Sequence, residues 1–261
     1  MLTEEQVHTA VAKGIAFLNR TREPYGLWFM SMMHRLFGVP EFADALRRYD
    51  EVVATRPKEE AAVLRVLRRL NDANNPLHPE DWDHVKILTD QLLACALYCD
   101  RLGLPPEFAA TLDKGVKAGG YAATHVLLAW IWLHDNGCRL AVRDGFVEDM
   151  FRAVAAILED RPTIVNDLKL EAAAFLCMAR QGERVDRRFF RHVVSIQRTD
   201  GGWGKLDTPD PANPDESSWH STTLALLLLL HVEFPTALKR GGVEQKAPSQ
   251  GTAGSASEVA E

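Results

Sequence analysis

The chain is predicted to be all-α, with helices paired around an interior as an α/α barrel or a helical array. Three observations lead there. Helical periodicity dominates the 261 residues, and the strict alternation of half-buried strands is nearly absent. The helices are of two kinds. Those at 141–159 and 185–197 are amphipathic and heavily charged, whereas 88–98, 122–133, 170–178 and 222–230 are apolar nearly all round. A helix apolar on every face is buried on every face, so the second kind lines an interior and the first covers it. Finally, a weak internal repeat places Gly26-Leu-Trp28 after one helix and Gly201-Gly-Trp203 after another.

The helices are read at 3–20, 27–37, 40–55, 58–73, 84–102, 105–117, 121–134, 140–159, 164–181, 184–198 and 218–232. Pro40, Pro57, Pro105 and Pro162 fall at or near first turns, where the missing N–H costs nothing. Gly103 and Gly137 stand just past helix ends. Residues 205–218, rich in Pro, Asp and Asn, form a long loop that is either a lid or mobile. The Gly-, Ser-, Ala- and Glu-rich end is expected to be disordered, which leaves one domain over 1–235 and a tail over 236–261.

At 46% hydrophobic, the chain can bury one substantial core or two small ones. Its formal charge of −6 mixes both signs, with no electrostatic footprint for nucleic acid. The apolar runs at 126–133 and 224–230 are too short to span a bilayer, so no stable membrane insertion is expected. The first residues are acidic and polar, unlike a secretion signal. Cys95, Cys99, Cys138 and Cys177 are too few for a disulfide framework, and a cytoplasmic protein with reduced thiols is the expectation.

Gln197, Gly201 and Trp203 spell QxxxGxW, and Ser217-Ser-Trp-His-Ser-Thr-Thr-Leu-Ala-Leu226 runs from a polar start into an apolar helix. That order resembles the repeat of squalene-hopene cyclases, class II diterpene cyclases and protein prenyltransferase β subunits. The resemblance covers 185–232 well and 8–30 more loosely, where Arg22 stands in place of the Gln; elsewhere only the helix pattern carries it. It implies a single α/α toroid with an enclosed apolar cavity. It also implies that the Gln side chain and Trp ring tie the end of one helix to the start of the next.

The apolar helices share polar openings: Thr89-Asp90, Thr124-His125, Asn166-Asp167 and Trp219-His220. Registered on the following Leu-Ala step (Leu-Glu in the third), these fall within one position of each other. In a toroid, Asp90, His125, Asp167 and His220 then converge at one mouth. Two imidazoles with carboxylates suit zinc, iron or manganese. Prenyltransferase β subunits, by resemblance, hold zinc with Asp, Cys and His near the rim, and His220 occupies the similar place. Their Asp-x-Cys is missing, since Asp135-Asn-Gly-Cys138 has a different spacing. The plain alternative is that Asp90, Asp167 and Ser221 only cap helices.

The first expectation is therefore a metal-dependent enzyme acting on a hydrophobic, isoprenoid-like small molecule. Asp90, His125 and His220 are its ligands, and Asp167 is a fourth ligand or a base. The second is a metal-free terpenoid cyclase or prenyl-chain enzyme. Asp81-Trp-Asp83-His84 resembles the DxDD general acid of class II cyclases, with Asp83 as the acid and His84 in place of the last Asp. Its plain alternative is a solvated helix start. The third is a catalytically silent toroid that binds an isoprenoid or a partner protein. Cys95 and Cys99, the six tryptophans and His34 read mainly as core. No P-loop, dinucleotide fingerprint, HExxH or GxSxG occurs.

Overall fold

The computed structural model describes residues 2–160, 164–204 and 217–234. Among the described residues the chain is all-helical, with thirteen α-helices and no strand. They are α1 (Glu4–Leu18), α2 (Pro24–Phe37), α3 (Ala45–Val53), α4 (Lys58–Leu67), α5 (Pro79–Trp82), α6 (Leu88–Leu97), α7 (Cys99–Leu102), α8 (Phe108–Ala118), α9 (Gly120–Asp135), α10 (Phe146–Glu159), α11 (Asp167–Met178), α12 (Arg187–Ser195) and α13 (Trp219–Glu233). Most of the loop expected at 205–218 and the tail expected at 236–261 lie outside the described residues.

Local chemistry accounts for the ends. Thr3 and Gln6 form a reciprocal capping box at α1, and the Asn166 side chain accepts from the Lys169 N–H at α11. Pro24 sits in the first turn of α2, which therefore starts earlier than expected. The expected helix 140–159 instead begins at Phe146, because Gly145 takes φ +76°, a left-handed conformation no helix interior accepts. The expected helix 84–102 is two, broken at Tyr98.

Six helices form the inside. α13 is buried from Ser221 to His231 and packs against α1, α11 and α2. α11 also packs against α9, α9 against α6, and α6 against α4. The circuit returns to α2 through Trp28, whose indole N–H donates to the Leu67 carbonyl at the end of α4 at 2.8 Å. The amphipathic helices α1, α3, α8, α10 and α12 lie outside, and α12 buries only Phe189 and Val193.

The interior is filled rather than hollow. Met30, Leu64, Ala94, Leu127 and every residue of α13 from Leu224 to Leu230 have no accessible surface, so no water-sized gap lies against them. Trp132 stands edge-on to Trp28 with ring centroids 5.5 Å apart. The apolar cavity implied by the resemblance is not present at these residues.

QxxxGxW acts as a brace. The Gln197 amide donates to the carbonyls of Ala10 (2.8 Å) and Gly201 (2.9 Å). The Trp203 indole, buried, donates to the Val193 carbonyl at 2.7 Å. The Trp203 backbone N–H donates to the Thr222 hydroxyl at 2.9 Å, and its carbonyl accepts from the Ser218 N–H at 2.8 Å. α12, α13 and α1 are thereby joined at one point. The earlier copy does not do this. Gly26 and Trp28 lie within the first turns of α2, and Trp28 reaches across to α4 and α9 instead.

Cys99 and Cys138 form a disulfide, against the expectation of four reduced thiols; Cys95 and Cys177 are free. The bond ties α7 to the segment after α9 across 39 residues of sequence. By the loop-closure model, reduction with dithiothreitol should lower stability by about 4 kcal/mol. Urea melts of the wild type with and without reductant measure this, and a Cys99→Ser/Cys138→Ser double variant should lose all sensitivity to reductant.

His231, near the end of α13, is buried edge-on to Phe37, and neither ring nitrogen has a hydrogen-bond partner. Burial pushes its pKa from 6.5 down to about 4. The unfolded chain binds the proton first, so stability falls as pH drops from 6.5 towards 4, by about 3 kcal/mol in all. His231→Leu, which also removes two unsatisfied polar atoms, should abolish that acid-side loss and leave the protein at least ~1 kcal/mol more stable at pH 7. Urea melts at pH 7 and pH 4.5 check both effects.

Candidate active site at the helix N-termini

Five of the inner helices, α2, α6, α9, α11 and α13, present their N-terminal turns at the same end of the bundle. On α11, Asp167 is the first residue and Glu171 follows one turn later. The Asp167 carboxylate accepts from His220 Nδ1 (2.9 and 3.0 Å to its two oxygens), from Ser221 Oγ (2.8 Å) and from the Tyr121 hydroxyl (3.2 Å). This places the start of α13 and the start of α9 on either side of α11. Glu171 accepts from the Thr124 hydroxyl in a short hydrogen bond and lies 3.6 Å from His125 Nδ1. The His125 charge acts on Asp90 in the first turn of α6, and the Asp90 charge acts on Tyr25 in the first turn of α2. Gly26 closes the ring: a Cβ there would lie 3.4 Å from the Trp219 ring.

The two carboxylates of α11 differ in proton affinity. Burial pushes Asp167 up, but the hydrogen bonds and charge of His220, with Ser221 and Tyr121, outweigh it, and its pKa falls below the ordinary value. Burial also pushes Glu171 up, and there it wins over His125, Thr124 and His220, helped by the Asp167 charge. Tyr121 is raised to about 12 by burial and by the neighbouring Asp167. Burial raises Asp90 as well, with His125 acting against it.

The imidazole tautomers follow from their partners. An ionised Asp167 only accepts, so His220 Nδ1 carries the hydrogen and Nε2 the lone pair of the neutral ring. His125 Nδ1 donates to the Tyr121 carbonyl at 2.7 Å, which fixes the same tautomer there.

Asp90, His125, Asp167 and His220 thus lie at the same end of the inner helices. Among the described residues no group of three His, Cys, Asp or Glu side chains is placed to hold one ion. Asp167 is the hydrogen-bond partner of His220. Asp83 stands apart, exposed at the end of α5, while its neighbour Asp81 is buried in a bidentate ion pair with Arg65. A carboxylate whose two oxygens accept from a guanidinium is not arranged as a proton donor.

Sequence reasoning passed over Glu171 and Tyr121, and placed Thr124 in a helix opening without a role. Glu171 had a signal: it occupies the register position filled by Ala94, Ala129 and Ala225 in the other inner helices. A charged residue there, 3% exposed, requires partners, and Thr124 and His125 are those partners. Tyr121 gave none, since its role depends on how α9 is rotated against α11. No family model, curated protein or solved structure matches the chain.

Proposed function

We propose that the chain is an enzyme that moves protons on a small molecule held at this mouth, with the Asp167–His220 pair as its base and Glu171 as its acid. The observation that carries the reading is the His220–Asp167 contact, with Ser221 and Tyr121 holding the carboxylate from two other directions. A neutral imidazole with Nδ1 hydrogen-bonded to an ionised carboxylate is a stronger base at Nε2, and the imidazolium it becomes is stabilised in place. Glu171, one turn further along α11 and beside His125, keeps its proton more readily and can return it to another atom of the substrate.

The architecture that supports this site reads best as an α/α toroid. Inner helices α2, α4, α6, α9, α11 and α13 follow one another in a circuit, backed by amphipathic outer helices. The QxxxGxW brace performs the tie that the cyclase and prenyltransferase resemblance implies. A metal-centred reaction remains a second reading on one observation. Nδ1 of His125 and of His220 is engaged by an oxygen, the orientation that metal-bound imidazoles take. Among the described residues, however, no three such donors gather around one point.

The test is turnover of a pooled metabolite fraction, followed by untargeted mass spectrometry. Wild-type protein should deplete a substrate, His220→Gln and Asp167→Asn should not, and a chelator should leave the wild type unaffected. Loss of turnover with the chelator would move the assignment to a metal, and turnover by His220→Gln equal to wild type would remove the acid–base reading.

A further inference from the structure

We propose that the outer face of α12 docks an acidic peptide segment of a partner protein, whose carboxylates pair with Arg187, Arg188 and Arg191. The helix has two faces. Phe189 and Val193 are buried against the body of the protein, and the three arginines stand exposed together on the opposite side. Among the described residues none of these guanidiniums has an ion pair or a hydrogen bond. Elsewhere the chain neutralises its arginines: Arg47 by Asp44 and Glu51, Arg68 by Asp50 and Asp72, Arg143 by Asp113 and Asp149, and Arg184 by Glu148. Asp186, the carboxylate next to them in sequence, accepts instead from the Arg188 backbone N–H at 2.7 Å. Like charges one turn apart on a helix repel, so this face carries a cost that an anionic partner removes. It does so in a chain whose formal charge is −6, where carboxylates are in excess.

Charge complementarity and shape select the occupant. A groove of about 320 Å³ runs between α1 and α12, lined by Gln6, Lys13, Val194 and Gln197, with Glu5 its one carboxylate. Arg187, Arg191 and Val194 follow at i, i+4 and i+7, on one side of the helix, so the arginine face continues into the groove. The strip is narrow, the length of a nine-residue helix, and suits an extended chain. All three cations are Arg, whose planar fork meets a carboxylate with two hydrogen bonds. A lipid surface fits less well. It is a plane and would also meet the rest of the chain, which without these arginines is more negative than −6. The same repulsion acts on a nucleic acid. The face does not depend on the Asp167–His220 pair, and either assignment can fail without the other.

Fluorescence anisotropy with the full chain at neutral pH tests the assignment, using a fluorescein-labelled peptide of Glu-Glu-Leu repeats and a matched peptide of Gln-Gln-Leu repeats. The acidic peptide should bind at least ~10-fold more tightly than its neutral counterpart. Its affinity should fall as salt rises from about 0.01 M to about 1 M, over which the screening length contracts from about 30 Å to about 3 Å. The triple variant Arg187→Gln/Arg188→Gln/Arg191→Gln should lose at least ~10-fold, and the triple Lys variant at the same positions should keep most of the affinity. Lys58→Gln/Lys114→Gln/Arg139→Gln, which removes the same charge from exposed residues of other segments, should change it by less than ~2-fold. Circular dichroism confirms that the variants are folded. Absence of binding, equal binding of the neutral peptide, or an equal loss in the charge-matched control would overturn the proposal. So would displacement of the peptide by phosphatidylserine vesicles or single-stranded oligothymidylate at a lower charge concentration than unlabelled peptide requires, which would give the face to a lipid surface or a nucleic acid.

Discussion

Trp203→Ala should destabilise the protein by about 4 kcal/mol or more, a large share of the 5–15 kcal/mol typical of a folded domain. The indole is 1% exposed and packs against Gly14, where a Cβ would come within 3.0 Å of the ring. Truncation opens a cavity between α1, α12 and α13 and leaves the Val193 carbonyl without its donor. Trp203→Phe separates the two effects, because it keeps most of the ring and loses only the N–H; about 1–2 kcal/mol is expected. Gly201→Ala should rival Trp203→Ala. Gly201 takes φ +91°, and an added Cβ would sit 2.6 Å from the Lys13 carbonyl oxygen, a backbone atom that cannot step aside. Arg22→Ala, at the degenerate copy, should change stability by less than ~0.5 kcal/mol, as expected of an exposed residue without a structural role. Urea melts followed by circular dichroism decide the matter. A cost below ~1.5 kcal/mol for Trp203→Ala would mean that the brace does not hold the three helices together.

The brace was legible because each of its parts is chemically specific. Only Gly accepts the backbone of position 201, and the Gln and Trp side chains reach fixed carbonyls. The rim was legible for a related reason. Four apolar helices that each open with a titratable residue place those residues at one end when the helices run parallel, as the alternation with outer helices makes them. What the sequence could not provide is the azimuth of each helix. Asp167 reads in the sequence as a fourth ligand or a base, and only the rotation of α11 and α13 shows that it hydrogen-bonds His220. Cys99 and Cys138 were opaque for the same reason, since 39 residues separate them in the chain and only the approach of α7 to the end of α9 joins them. How closely the apolar helices pack is not registered by periodicity: Trp28, Trp132, Met30 and Met33 are buried, and the two indoles meet edge-on.

His220→Gln and Asp167→Asn should each lower turnover by roughly 10²- to 10⁴-fold while leaving the fold intact. Gln keeps a hydrogen-bonding group near Asp167 but has no nitrogen that takes up a proton at neutral pH. Asn at 167 keeps the shape, yet removes the negative charge that stabilises the imidazolium. It can also offer an N–H to Nδ1, which shifts the hydrogen of the neutral ring to Nε2 and removes the lone pair the reaction uses. The two losses should not add: a double variant should turn over no more slowly than about the worse single one, because both residues serve one proton transfer. Glu171→Gln gives the contrasting case. It preserves the partner of the Thr124 hydroxyl but has no proton to release, so activity should fall while the slope of rate against pH assigned to the base remains. Asp167 stays ionised below the ordinary carboxylate range. Its folded-state pKa lies below the ordinary carboxylate value, so its contribution to stability is present above that value and is lost as pH falls through the lowered one. Activity should end at higher pH than this, once the imidazole itself is protonated and has no lone pair left to accept with. Additive losses in the double variant would show that His220 and Asp167 act on different steps, and would leave the hydrogen bond between them a structural one.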